Sequence, residues 1–302
     1  MSSDLTTVGE RIRSVAVDIA WQMWSALGVS SWESRTPRSV IELEPLIALT
    51  AVGAWDDRRL VSQAIDWCVA NADLVSLHQM RRVVEDNAWP FEGPIAEFGA
   101  TAGHFMRKPW PGVRDEQPFL RELPLKSKPP DLRDPALISL RLRAVFGVGA
   151  RSETLRFLLL HPWPSTAAQI AREIPYGERQ ITKDLRLLTL ADITRSSTHG
   201  SSAEYVLSNA PALESITGKP SAEPVPWGPV FRLTTELADA FIDLGPHNLR
   251  NPDTALAARI RRLSAVLERL SREHWWTSPT RQTVDDVADW IPWFLDQIRQ
   301  RV

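Results

Sequence analysis

The chain has 302 residues, of which 43% are apolar and 24% charged, and its formal net charge of −2 is ordinary for a globular protein. Its one cysteine, Cys68, excludes an internal disulfide and a zinc site built from cysteines. No stretch reaches the roughly 18–20 apolar residues of a membrane-spanning helix, and no basic-then-apolar leader opens the chain. We therefore expect a cytoplasmic protein without a membrane partner.

Two proline-rich stretches divide the chain into three segments. Because proline lacks the amide hydrogen that helices and sheet ladders use, stretches 109–132 and 209–227 are interpreted as linkers. The remaining segments are predicted to be an N-terminal helical bundle (1–108), a central unit (133–208) and a C-terminal helical domain (228–302).

The N-terminal segment carries the signals of five helices. Steps of three and four residues separate the apolar positions of the first one: Val8, Ile12, Val15, Ile19, Met23 and Leu27. Pro45 and Pro94 are suited to the first position of a helix, while Asp56 and Ser76 are suited to the capping position before one. Five short helices with brief connections predict a compact bundle with its own core.

The central segment shows a definite order of elements. Two apolar helical patterns come first, separated by Gly147 and Gly149. A short helix follows, whose start carries the capping-box pair Thr166 and Gln169. After the turn 175–177, a longer helix begins at Glu178 and places its apolar residues on one face: Ile181, Leu185 and Leu188. Two β-like runs around a Gly/Ser tip then predict a hairpin.

The C-terminal segment is also predicted to be helical, with three patterns. The first runs from Phe231 to Leu244 and the second from Leu256 to Leu270. Thr283 is suited to cap the third, and Pro292 within that pattern is expected to kink the helix or end it early.

The central run STAAQIAREIPYGERQITKDLRLLTLADITRSSTHGSSAEYVL resembles winged helix-turn-helix transcriptional regulators of the MarR and ArsR kind. The resemblance implies a mainly α fold, in which a central winged helix-turn-helix with a small β-hairpin is flanked by helical domains. It also implies that the helix from Glu178 enters the major groove of double-stranded DNA, and that the hairpin touches flanking backbone or minor groove. Such regulators form homodimers that bind half-sites about one helical turn apart.

The predicted recognition helix carries five candidate contacts to DNA. Arg179 and Lys183 lie one turn apart and share a face. Arginine can bond a guanine edge through two donors, and Gln180 can do the same at adenine. Thr182 is suited to a phosphate or a thymine methyl group, and Arg186, further along the helix, to a phosphate.

Four further candidates flank that helix. Ser165 and Thr166, at the start of the preceding helix, offer hydroxyl and amide donors to the phosphate backbone. Arg195 and His199 are candidate contacts of the hairpin. Residues 133–207 hold ten basic and seven acidic side chains, a local net charge of +3 that permits DNA binding.

We find no catalytic constellation, no metal-ligand spacing and no complete cofactor motif, so no enzymatic activity, cofactor or metal is expected. The function expected from the sequence is a sequence-specific transcriptional regulator, in one version the autoregulating member of a toxin–antitoxin or defence operon. The alternative is a protein–protein interaction module, in which the winged helix and the helical domains serve as a scaffold for a protein partner.

Overall fold

The computed structural model describes residues 2–29, 37–199, 202–218, 223–244, 251–277 and 283–302. The described fold is mainly helical, with one small antiparallel sheet. In chain order the elements are α1 (Ser2–Ala26), α2 (Leu43–Gly53), α3 (Arg58–Ala70), α4 (Leu77–Asp86), α5 (Pro94–Met106), a 3₁₀ turn (Pro135–Leu137), α6 (Ile138–Phe146), α7 (Ala150–Leu160), β1 (Ser165–Thr166), α8 (Ala167–Glu173), α9 (Glu178–Leu190), β2 (Thr194–His199), β3 (Ser202–Leu207), α10 (Ala210–Thr217), α11 (Trp227–Leu244), α12 (Pro252–Arg262), α13 (Ser264–Arg272) and α14 (Val284–Arg299).

The local start signals of the N-terminal helices act largely as the sequence predicts. Ser76 caps α4 by accepting a hydrogen bond from the backbone N–H of Gln79, and Pro94 occupies the first turn of α5. The cap of α3 differs by one residue, because Asp57 rather than Asp56 accepts the hydrogen bond from the backbone N–H of Leu60.

The C-terminal helices depart from the sequence prediction in two places. The predicted helix over 256–270 is divided at Leu263, whose N–H bonds the carbonyl of Ile260 in a tighter turn. Of the two effects expected of Pro292, a kink or an early end of the helix, the early end does not occur, because α14 continues to Arg299. Pro292 lies on the exposed face, while burial of the apolar face on both sides of it stabilises the helix.

The terminal helices share one hydrophobic core. This core draws on α1 to α5 and on α11 to α14, and we call these helices together the helical body. Helix α1 packs along α11 at a close approach, since a Cβ at Gly9 would lie 2.7 Å from a side-chain carbon of Ile242 and 2.8 Å from the carbonyl oxygen of Ala238. Only glycine allows this approach without a shift of one helix.

A second, smaller core lies among α6 to α10 and the sheet, which we call the small unit (residues 138–217). Its sheet has the strand order β1-β3-β2, with both pairs antiparallel; Ser165 lies opposite Tyr205, and Thr194 opposite Leu207. Helix α6 serves both cores, because Leu140 packs into the helical body and Leu142 into the small unit.

The two stretches interpreted as linkers differ from each other. Between Met106 and Pro135 there is neither helix nor strand, and the carboxylate of Asp66 on α3 accepts hydrogen bonds from three successive backbone N–H groups of this stretch, those of Leu125, Lys126 and Ser127. The second stretch contains the short helix α10, which Asn209 caps. The first stretch is thus held against the helical body by a buried carboxylate.

A buried ion-pair network joins the small unit to the helical body. The guanidinium of Arg143 on α6 bonds Glu44 of α2 at 2.8 Å and Glu153 of α7 at 3.0 Å. It also donates to the side-chain oxygen of Gln79 and the carbonyl of Leu74, each within 3 Å. Burial by itself lowers the pKa of Arg143, but the two carboxylates outweigh burial and hold this pKa above its usual value, so the arginine stays charged.

We predict that Arg143→Met strongly destabilises the protein, because two buried carboxylates would lose their counter-charge. Breaking such a pair costs about 3–5 kcal/mol of unfolding free energy, measurable by urea denaturation. The control is Arg133→Met, which removes an exposed ion pair to Asp131 and should cost less than about 1 kcal/mol. Equal effects of the two substitutions would contradict the assigned role of the network.

We also predict a specific loss of stability in acid. Burial raises the pKa of Glu153, but Arg143 and Arg156 outweigh burial and hold it below the usual value. A carboxyl whose folded pKa is depressed stabilises the fold above its unfolded pKa of about 4.3, and this contribution disappears as the pH falls through the folded pKa. The urea midpoint, measured at evenly spaced pH values from about pH 6 down to about pH 3, should therefore fall more steeply for the natural chain than for Glu153→Gln.

Candidate nucleic-acid interface

Helix α9 presents one buried and one exposed face. It begins after Gly177, whose carbonyl accepts hydrogen bonds from the N–H groups of Gln180 and Ile181 at 2.9 and 3.2 Å. The apolar face predicted from the sequence is buried in the second core: Ile181, Leu185 and Leu188. This burial orients the opposite face of α9 toward solvent.

The exposed face of α9 carries the basic residues that the sequence singled out. The side chains of Arg179, Lys183 and Arg186 are exposed, and none of the three forms an ion pair with a described residue. Asp184, which lies between them in the chain, is buried and faces Arg151 of α7 at 3.6 Å. The carboxylate of Asp184 is therefore withdrawn from the surface that the three basic side chains share, while Glu178 in the first turn of α9 is exposed.

The two polar candidates on α9 have local partners. The side-chain amide of Gln180 is exposed and donates to the carboxylate of Asp184 at 2.9 Å, which leaves its oxygen and one N–H for another group. The hydroxyl of Thr182 is half-buried and donates to the carbonyl of Glu178, one turn earlier. Both side chains are thereby held along the exposed face.

The candidates at the start of α8 lie in different environments. Thr166 forms a complete capping box with Gln169, since each side chain accepts a hydrogen bond from the other residue's backbone N–H. Ser165 is only 2% exposed, and its hydroxyl donates to the carbonyl of Trp163. The side chain of Ser165 therefore does not reach the surface, because β1 turns it toward the second core.

The hairpin of β2 and β3 projects beside α9. Arg195 is exposed on β2, opposite Val206 of β3. The backbone of His199 forms the end of β2, but its side chain lies outside the described residues, as do residues 200 and 201 at the tip. The structure thus places Arg195 on the same unit as α9 and leaves His199 as a prediction.

The turn between α8 and α9 is held by the helical body. His78 of α4 bonds the carbonyl of Pro175 through its ring Nε2 at 2.9 Å, and its ring stacks on Tyr176 with centroids 4.8 Å apart. Burial raises the pKa of Tyr176, so its hydroxyl stays neutral. The sequence holds no signal for this contact, because its partners are 97 residues apart.

The small unit also exposes apolar side chains that the sequence pattern did not single out. Leu187 and Leu190 of α9 are 44% and 85% exposed, and Trp163, just before β1, is 56% exposed. These residue types are usually buried, so the exposure of the two leucines on α9 marks a surface that suits an apolar partner.

The described part of the chain holds no group of three or more potential metal-ligating His, Cys, Asp or Glu side chains. None of its helices is both long enough and apolar enough to cross a membrane. Comparisons of the chain with protein families, with characterised proteins and with solved structures found no match.

Proposed function

We propose that this chain is a sequence-specific regulator of transcription that binds double-stranded DNA through α9. The observation that carries the proposal is the exposed face of α9, where three basic side chains without an ion-pair partner among the described residues lie opposite a fully buried apolar face. These positive charges can neutralise DNA phosphates and release the counterions bound to the DNA, which supplies a large share of the affinity of proteins for DNA.

The order of elements around α9 supports the interpretation as a winged helix-turn-helix. Helices α8 and α9 are joined by the short turn 174–177, and a two-stranded hairpin follows α9. The strand β1, which precedes α8, pairs with β3 of that hairpin. In this arrangement α9 acts as the recognition helix in the major groove, and the hairpin acts as the wing against the flanking backbone.

Each surface candidate has a role in this proposal. Arg179 and Gln180, in the first turn of α9, read base edges, since recognition helices contact bases through their N-terminal residues. Lys183 and Arg186 bind phosphates. Thr166, Thr182, Arg195 and His199 are proposed backbone contacts, and the buried Ser165 is left out.

The proposal extends to assembly and regulation. Two copies of the chain bind two half-sites about one helical turn apart, as other winged regulators do. Within the cell the protein acts in the cytoplasm on the promoter of its own operon, in the manner of the DNA-binding member of a toxin–antitoxin or defence pair.

We predict that Arg179→Ala with Lys183→Ala weakens DNA binding by at least about thirtyfold, because each lost contact is worth about 1–3 kcal/mol. The measurement is fluorescence anisotropy with DNA selected by the protein from a random pool, at several salt concentrations. The matched control is Arg261→Ala with Arg272→Ala, which removes the same charge from exposed positions of α12 and α13. Equal losses for both double variants would show that α9 is not the binding face.

The alternative function is a protein-interaction module, favoured by the exposed Leu187 and Leu190 on α9. It predicts that Leu187→Ser with Leu190→Ser abolishes co-purification of a stoichiometric protein partner, while the Arg179 and Lys183 double variant retains it. The control is Leu125→Ser, an equally exposed leucine outside the small unit. Undiminished co-purification of the partner with the leucine variant would argue against this alternative.

A further inference from the structure

A cavity of about 360 Å³ lies where the small unit meets the helical body. Its walls come from the residue just before α2 and the start of that helix, from α4, α6, α7 and α13, from the first turn of α11, and from the end of α8 with the turn that follows it. Cavities of this size hold small organic molecules. The residues proposed to contact DNA are not part of its wall.

Three side chains of the wall carry a buried polar atom without a hydrogen-bond partner among the described residues: Gln79 at Nε2, Asn87 at Oδ1 and Ser139 at Oγ. Asn87 is 2% exposed and Ser139 is 4% exposed, and neither the Asn87 Oδ1 nor the Ser139 Oγ has a partner among the described residues. The Asn87 Nδ2 donates to the carbonyl of Val83 at 2.8 Å, which fixes the amide so that its acceptor oxygen remains free. A buried polar atom without a hydrogen bond is unfavourable, so a ligand that bonds these atoms removes that cost.

The first turn of α11 holds Asn87 in position. A Cβ at Gly228 would lie 2.8 Å from the Asn87 Nδ2, so the amide packs directly on the backbone of this turn. The glycine is therefore needed for the close contact between α4 and α11 at the cavity wall.

The acidic side chains of the wall are largely neutralised by ion pairs. Asp86 bonds Arg82 at 2.9 Å, and Glu42 bonds Arg156 at 3.3 Å. Glu44 and Glu153 share Arg143, as described above. These carboxylates consequently do not repel an anion as free acids would.

Two cations of the wall lack such partners. Arg172 of α8 and Arg269 of α13 form no ion pair with a described residue, and Glu173 is the one acid of the wall in the same condition. The wall as a whole holds five acidic and five basic side chains, so what suits a ligand with a single anionic group is the pair of unpaired guanidiniums and not a net positive charge.

We propose that this cavity is the effector site of the protein, for a small metabolite that carries one phosphate or carboxylate group together with N–H or O–H donors. The Asn87 Oδ1 accepts from a donor of the ligand, and the Ser139 hydroxyl bonds a second polar atom. Arg172 and Arg269 bind the anionic group.

The position of the cavity also suits it to control DNA binding, and this step rests on the proposed function. The wall includes Ala171 to Pro175, which lead directly to Gly177 at the start of α9. Arg172 belongs to α8 and Asn87 to the end of α4. A ligand that bonds both residues connects the turn before α9 to the helical body. Binding then favours one placement of α9 over others, which is a coupling between two sites.

Ligand binding is tested by isothermal titration calorimetry on the full chain, with adenosine monophosphate, ribose 5-phosphate and gluconate as probes. The reference compounds are adenosine, which lacks the anionic group, and inorganic phosphate, which lacks the rest of the metabolite. We expect at least one probe to bind with a Kd below about 1 mM and at least tenfold more tightly than the reference compounds, a difference of about 1.4 kcal/mol. No binding by any probe, or equal binding of inorganic phosphate, would overturn the proposal.

Variants locate the site. Asn87→Ala, Ser139→Ala and Arg172→Ala should each weaken the bound probe at least about fivefold, and the exposed control Arg114→Ala should leave its Kd unchanged. Asn87 is also the C-cap residue of α4, so its variant can fail to fold. In that case the Ser139 and Arg172 variants test the proposal. Unchanged affinity in both of those variants would place the ligand elsewhere and contradict the proposal.

The effector role is measured separately from the binding site. A saturating probe should change the affinity for selected DNA at least about fivefold, in the range of ordinary allosteric couplings. Probe binding without any change in DNA affinity would overturn the effector role. If the chain binds no DNA at all, the proposed function and the effector role fail together, while the calorimetric result still decides whether the cavity is a ligand site.

Discussion

The placement of the small unit depends on one buried guanidinium. Arg143 lies between Glu44 of the helical body and Glu153 of its own unit, and it also donates to the side-chain oxygen of Gln79 and to a backbone carbonyl. Buried charges are tolerated only when their partners meet them with good geometry. The network therefore specifies how α6 and α7 pack on α2 and α4. The cavity between the two units depends on this packing.

The burial of Asp184 on α9 follows from packing within the small unit. Helix α7 packs against α9, so that Arg151 faces the buried Asp184 while the basic residues point outward. The contact of His78 with the turn before α9 adds a second attachment to the body. A helix held at its buried face and at its first turn is a rigid element, which is what a surface for DNA requires.

Local elements were predictable because their causes are local. The caps at Ser76 and Thr166, the buried stripe of α9 and the hairpin all depend on residues within a few positions of one another. The same local patterns gave errors where tertiary contacts decided the outcome. Burial on both sides of Pro292 keeps α14 continuous, and β1 turns Ser165 inward although its residue type suggested a surface contact.

By itself, the sequence determined the number and order of the helices in the N-terminal segment, the turn before α9 and the face of α9 that is exposed, since periodicity and capping are properties of adjacent turns. Only the tertiary structure decided that α1 and α11 share a core, that Arg143 meets a carboxylate 99 residues away, and that a cavity with unpaired polar atoms opens between the two units. The physical reason is that packing and ion pairing join residues far apart in the chain, and no local pattern specifies which of many compatible partners will meet.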